Sequence, residues 1–146
     1  MVTRTMALCL ALSGLAGTAS GQTPLAPEQW TPIGHAAQTV TGRVTFAPSE
    51  ITFQNGKSLS LDRGGQMLFR PEPKRRKVAA DLYRVTPPDQ PILENGNTLC
   101  KGKPVAYLIV WQSEKTGKEA DPRTLAPFSG PQTCGRYLRR RSALSS

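Results

Sequence analysis

The sequence lacks most of what catalysis or a membrane span requires. There is one histidine, His35, and the 10 acidic residues form no suggestive pair. No Ser, His and Asp arrangement stands in a motif context, no glycine loop could cradle a phosphate, and no cluster has metal-ligand spacing. Neither a cofactor nor a metal is therefore expected. An enzyme would need a site assembled from residues distant in the chain. His35 has no nucleophile or acid at a recognisable spacing and reads as a hydrogen-bonded surface group. Aromatics make up only 6% of residues. The stacking platforms of nucleic-acid binders are scarce, so nucleic acid is not an expected partner. No stretch beyond the N-terminus is apolar enough to span a bilayer, and none shows a convincing amphipathic helical period.

Basic charge, turn residues and short apolar runs are abundant. Lys and Arg number 19, giving a net charge of +9, and Gly and Pro together supply 26 of 146 residues. That share suits many turns punctuating short strands and falls short of a low-complexity chain. The length allows one domain.

Residues 1–21 have the pattern of a secretory leader. Arg4 opens it, Met6 to Ala16 is apolar, and Ala19 and Gly21 fit the small positions of a cleavage site, leaving Gln22 as the new N-terminus. Cys9 lacks the small residues of a lipid-attachment box before it. Removal of this segment takes away Arg4 and no acid, leaving 18 basic and 10 acidic residues, a net charge of +8. It also takes away Cys9. Cys100 and Cys134 remain, and an even count in an oxidising compartment predicts one disulfide. A freely soluble periplasmic or secreted protein is expected, with no transmembrane segment after cleavage.

The run Val105-Ala106-Tyr107-Leu108-Ile109-Val110-Trp111 organises the remainder. It is mostly β-branched or aromatic and too short to span a bilayer, which predicts a strand buried on both faces. Upstream, residues 22–37 read as an extended lead-in whose Trp30 packs onto the domain. A period of two from Thr39 places Val40, Gly42, Val44 and Phe46 on one face of a strand. Ile51-Thr52-Phe53 begins the next. A two-residue loop at Asn55-Gly56 would turn Ile51 and Phe53 away from Leu59 and Leu61. A three-residue loop of Gln54-Asn55-Gly56 pairs Phe53 with Lys57 and Ile51 with Leu59, with Gly56 at the left-handed position, and is the one expected.

Asp62-Arg63-Gly64-Gly65 reads as a turn before a short strand at Gln66–Arg70. Pro71 to Lys77 reads as an exposed loop, since its prolines and four adjacent cations exclude a central strand. Val78 to Val85 is a strand ended by Thr86-Pro87-Pro88. Ile92 and Leu93 are placed to cap the bottom of a barrel through a single helical turn. Ser113 to Ala120 reads as a polar hairpin loop. Leu125 to Phe128 is expected at an edge because of Pro127. Cys134 to Leu138 is expected as the last strand, and residues 139–146 as a basic disordered tail. The fold class is all-β, a small antiparallel barrel or two-sheet sandwich of about eight short strands over residues 38–138, with one disulfide.

Two basic groups stand out, Lys74-Arg75-Arg76-Lys77 and Arg136 with Arg139-Arg140-Arg141. Pro73 to Val78 has the look of a nuclear import signal, which an exported chain would never present to its receptor. As anion-binding surfaces, Lys74, Arg75, Arg76, Lys77, Arg139, Arg140 and Arg141 suit an anionic lipid or polymer. Their bland counterpart is a solvated loop and tail that aid solubility.

Val40-Thr41-Gly42-Arg43-Val44, Ile51 to Gly56, Leu82-Tyr83-Arg84-Val85-Thr86-Pro87-Pro88, and Asn97-Thr98-Leu99-Cys100 with Cys134-Gly135-Arg136-Tyr137 together resemble uncharacterised small exported proteins of proteobacteria. The resemblance covers roughly residues 30–138. It carries over no catalytic residues, and the Lys74–Lys77 loop and Arg139–Arg141 look like local additions to it. By architecture alone the chain is also similar to lipocalin-like bacterial inhibitor barrels. The expected function is that of a non-catalytic exported module binding an envelope protein or small ligand, with an inhibitor-like role as one form of it. In that case Trp111 or Tyr107 could line an open lumen, although both read more simply as ordinary core aromatics. The alternative is a cationic module docking on an anionic envelope surface or polymer. The third is an enzyme whose site sequence cannot reveal.

Overall fold

A computed structural model describes residues 26–114, 122–131, 133, 134 and 138–141. Among these residues eight antiparallel strands follow one another round a closed barrel, each paired with its neighbours in sequence. They are β1 (Glu28–Pro32), β2 (Val44–Ala47), β3 (Glu50–Phe53), β4 (Ser58–Phe69), β5 (Val78–Asp89), β6 (Val105–Gln112), β7 (Arg123–Phe128) and β8 (Leu138–Arg141). The seam is thin. β8 meets β7 at Thr124 and Leu125, and meets β1 at Thr31 and Pro32.

A meander of this kind has two distinct ends. At one lie the β1–β2, β3–β4, β5–β6 and β7–β8 connections, including helix α1 (His35–Val40) and the 3-10 turn Glu94–Gly96. We call this the helix end. The other connections, with the long loop between β4 and β5, form the hairpin end. The helix end is sealed. Leu93, Leu99 and Cys100 are buried in the interior cluster there. The side-chain amides of Asn95 and Asn97 donate to the Thr39 carbonyl at 3.1 and 3.4 Å, and that of Asn55 donates to the Ile92 carbonyl at 2.9 Å. Cys100 and Cys134 are joined in a disulfide at this end.

The β3–β4 turn has the geometry its sequence implies. Ile51 pairs with Leu59, the Phe53 N–H donates to the Lys57 carbonyl at 2.8 Å, and Gly56 sits at φ +81°. One apolar face results, as the three-residue loop requires.

The run at Val105–Trp111 is a strand with both faces covered. Leu108 and Val110 belong to the interior cluster with Trp30, Phe46 and Tyr83. Ile109 and Trp111 point outward into a second cluster with Ala80, Ala126, Phe128 and Phe69. The outer cluster exists because the far half of the β4–β5 hairpin leaves the barrel wall. The Phe69 ring lies 5.1 Å from Trp111 and 6.1 Å from Phe128. Trp111 is opposite Thr124, four residues before Phe128 and therefore about 13 Å away along the strand. One side chain on β4 reaches both only if the hairpin leans across the outside of β6 and β7. The bend falls at a bulge, where Arg63 pairs with Tyr83 and Gly65 with Leu82, leaving Gly64 unpaired. A Cβ on Gly64 would come within 3.1 Å of Leu82, and bulges bend and twist a strand as this one does.

Several expectations are corrected. The stretch 22–37 is not only a lead-in, because Glu28–Pro32 is a barrel strand and Trp30 and Pro32 point inward. The strand expected from Thr39 begins at Val44, since α1 runs to Val40 and Gly42 adopts φ +59°. Asp62–Gly65 is the bulge inside one long strand rather than a turn. β5 continues to Asp89, and Pro87 and Pro88 are tolerated because both flanking ladders skip Thr86–Pro88. Leu93 caps the helix end, whereas Ile92 is exposed. β7 has neighbours on both sides. Pro127 fits because its carbonyl, accepting from Cys134 N–H at 2.8 Å, faces the side where β8 is not paired.

Arg139–Arg141 is the end of the closing strand and not a tail. The leader and cleavage point expected within residues 1–22, most of the Ser113–Ala120 loop, Gly135–Tyr137 and residues 142–146 lie outside the described residues.

Candidate binding surface at the hairpin end

The hairpin end gathers the unexplained charge. Tyr83 crosses the interior there, its ring edge-on to Phe46 at 5.2 Å, with Phe46 in turn 5.4 Å from Trp30. Arg63 stands opposite Tyr83 across the β4–β5 ladder, and Asp81 follows two residues along the same face. On the opposite wall Glu28 is in register with Phe46. Two ion pairs result, Arg63–Asp81 at 3.3 Å and Arg123–Glu28 at 3.6 Å, and the Trp30 indole N–H donates to Glu28 at 3.2 Å. The four charged side chains are about a third or more exposed, so each pair contributes under about 1 kcal/mol and chiefly fixes orientation.

Burial pushes the Tyr83 phenol above its ordinary value, the Asp81 carboxylate pushes the same way, and Arg63 and Arg123 oppose them. The sign of the linkage follows. The fold favours the protonated phenol, so this contribution is fully present below the unfolded value near pH 10.0. It is lost as pH rises through the folded value. In an alkaline titration Tyr83 should ionise later than an ordinary phenol. Tyr83→Phe should remove that late component while keeping the ring on Phe46. A titration curve left unchanged by Tyr83→Phe at its late end would contradict the burial argument.

Beyond this mouth, the hairpin presents its tip. Phe69 and Val78 hold its inner side against the barrel. By strand alternation Gln66, Leu68 and Ala79 face away, and all three are exposed, Leu68 by 69%. In the loop between β4 and β5, Pro71 and Glu72 are half-buried, while Pro73, Lys74, Arg75, Arg76 and Lys77 are exposed. Arg75 is already engaged, its Nη1 bonding Glu114 at 2.7 Å and its Nε lying 3.6 Å from Glu72, contacts that raise its pKa further. Lys74, Arg76 and Lys77 make no ion pair among the described residues. Arg140 and Arg141 pair by backbone with Pro32 and Thr31, and Arg139 with Thr124.

The other candidates fall elsewhere. Trp111 is buried in the outer cluster, and Tyr107 is partly exposed on the same outer face, so neither lines the interior. His35 Nδ1 lies 3.2 Å from the Thr39 hydroxyl, but that hydroxyl donates back to the His35 carbonyl at 2.8 Å on an exposed helix face. Such a back-bond is local helix chemistry. Glu28 and Asp81 both act on Tyr83, yet each is held by an arginine. Among the described residues no group of three His, Cys, Asp or Glu could hold a metal ion, and no helix is long and apolar enough to cross a membrane. The charged mouth escaped the sequence reading because Glu28, Arg63, Asp81 and Arg123 meet only through strand register. Against protein-family models, curated proteins and solved structures, the chain has no match.

Proposed function

We propose that this chain is an exported, non-catalytic binding module that docks on an anionic surface or polymer of the cell envelope through its hairpin end. The observation that carries the reading is the set Lys74, Arg76 and Lys77, without an ion pair among the described residues, on a hairpin whose Phe69 packs on Trp111. A preorganised loop loses less entropy on binding than a flexible tail. Export is supported by the leader-like residues 1–21 and by the Cys100–Cys134 disulfide, which suits an oxidising compartment. A protein partner is the second reading. It is favoured by the charged mouth, where Arg63, Asp81, Glu28 and Arg123 ring Tyr83.

Salt separates the two. Binding to an anionic polymer should weaken steeply as ionic strength rises, because the contact is exposed charge on charge. Substituting Lys74, Arg76 and Lys77 together by Ser should abolish it, measured by co-sedimentation of the chain from Gln22 onward with isolated envelope. Unchanged binding by that variant would overturn the role assigned to these residues.

A further inference from the structure

The chemistry of the tip is not purely ionic. Leu68 is the most exposed large apolar side chain among the described residues, at 69%. It lies opposite Ala79, two residues from Arg70 and, across the ladder, two from Lys77. Because Phe69 on the next position is fixed against Trp111 and Phe128, alternation aims Leu68 away from the barrel. An apolar group is thus held outward on the same hairpin whose loop carries Lys74, Arg76 and Lys77, with Lys77 two residues before Ala79, the partner of Leu68. A soluble polyanion rewards only the charges and gains nothing from Leu68. The boundary between lipid headgroups and acyl chains rewards both at once.

We infer that the anionic partner is a lipid bilayer, with Leu68 entering the acyl boundary while the three cations meet anionic headgroups. This rests on the docking reading above and names its partner. Charge complementarity selects the anionic leaflet, and Leu68 distinguishes a membrane from a polymer.

The test uses the chain from Gln22 onward, which carries the whole barrel and omits the apolar leader. Vesicles of mixed phosphatidylglycerol and phosphatidylcholine, vesicles of phosphatidylcholine alone, and dextran sulfate are the three probes. Wild type should bind the mixed vesicles and not the neutral ones. Leu68→Ser should weaken vesicle binding roughly tenfold and leave dextran sulfate binding unchanged. The triple Ser variant at Lys74, Arg76 and Lys77 should lose about a hundredfold on vesicles and fall on dextran sulfate as well. Leu68 is exposed, so its replacement leaves the fold intact, checked by the unfolding midpoint. Equal vesicle binding by wild type and Leu68→Ser would overturn the lipid inference while leaving the ionic reading standing. Undiminished binding of the triple variant to both anionic probes would overturn both.

Discussion

Trp111→Ala should cost about 3–5 kcal/mol of unfolding free energy, although Trp111 is on the outside of the barrel. In a sheet with one wet face, truncating an outward residue is usually within about 0.5 kcal/mol of neutral. Here Trp111 is 6% exposed, packed on Phe69 and facing Ala80 across the ladder. Its removal leaves a cavity beneath the hairpin, between Phe69 and Ala80. Tyr107 provides the control, since it projects from the same face of the same strand but is 38% exposed. Tyr107→Ala should cost much less. Denaturant unfolding of the two variants decides the matter, and equal small losses would show that the outer cluster is not a second core.

Replacing Cys100 and Cys134 together by Ser should lower stability by about 4 kcal/mol on the chain-entropy model, given their separation of 34 residues. The position of the bond matters beyond its loop length. Cys100 is buried just before β6, and Cys134 lies between β7 and β8. The bond ties the approach to the central strand to the approach to the closing one. Because β8 meets each neighbour through two residue pairs among the described residues, the reduced protein should open first at this seam. Hydrogen exchange at Leu138–Arg141 should accelerate before exchange at Leu108–Val110. An unchanged unfolding midpoint for the double variant would contradict the role given to the bond.

The parts legible in the sequence were those governed by local rules. Val105–Trp111 announced itself by β-branched and aromatic content. The Gln54–Gly56 loop followed from the demand that Ile51 and Leu59 share a face. The parts that were not legible depend on register or on contacts distant in the chain. Gly64-Gly65 looked like a turn, and only the pairing of β4 with β5 on either side makes it a bulge. Val40, Gly42 and Val44 kept a strand-like period, yet Val40 ends a helix that packs beside the Glu94–Gly96 turn. Arg139–Arg141 looked like a solvated tail because closure of a barrel leaves no mark in a single strand. The cations at Lys74–Lys77 were visible from the start. That Arg75 is engaged by Glu114, and that Leu68 stands outward on the same hairpin, required the fold.

The account assigns binding to the hairpin end and sealing to the helix end. Hydrogen exchange of the chain from Gln22 onward, with and without anionic vesicles, tests that division directly. The account predicts slowed exchange across residues 66–79 and no change at His35–Val40, in the Asn55 hairpin or in the loop containing Glu94–Gly96. Protection confined to the helix end, with residues 66–79 exchanging as before, would contradict it.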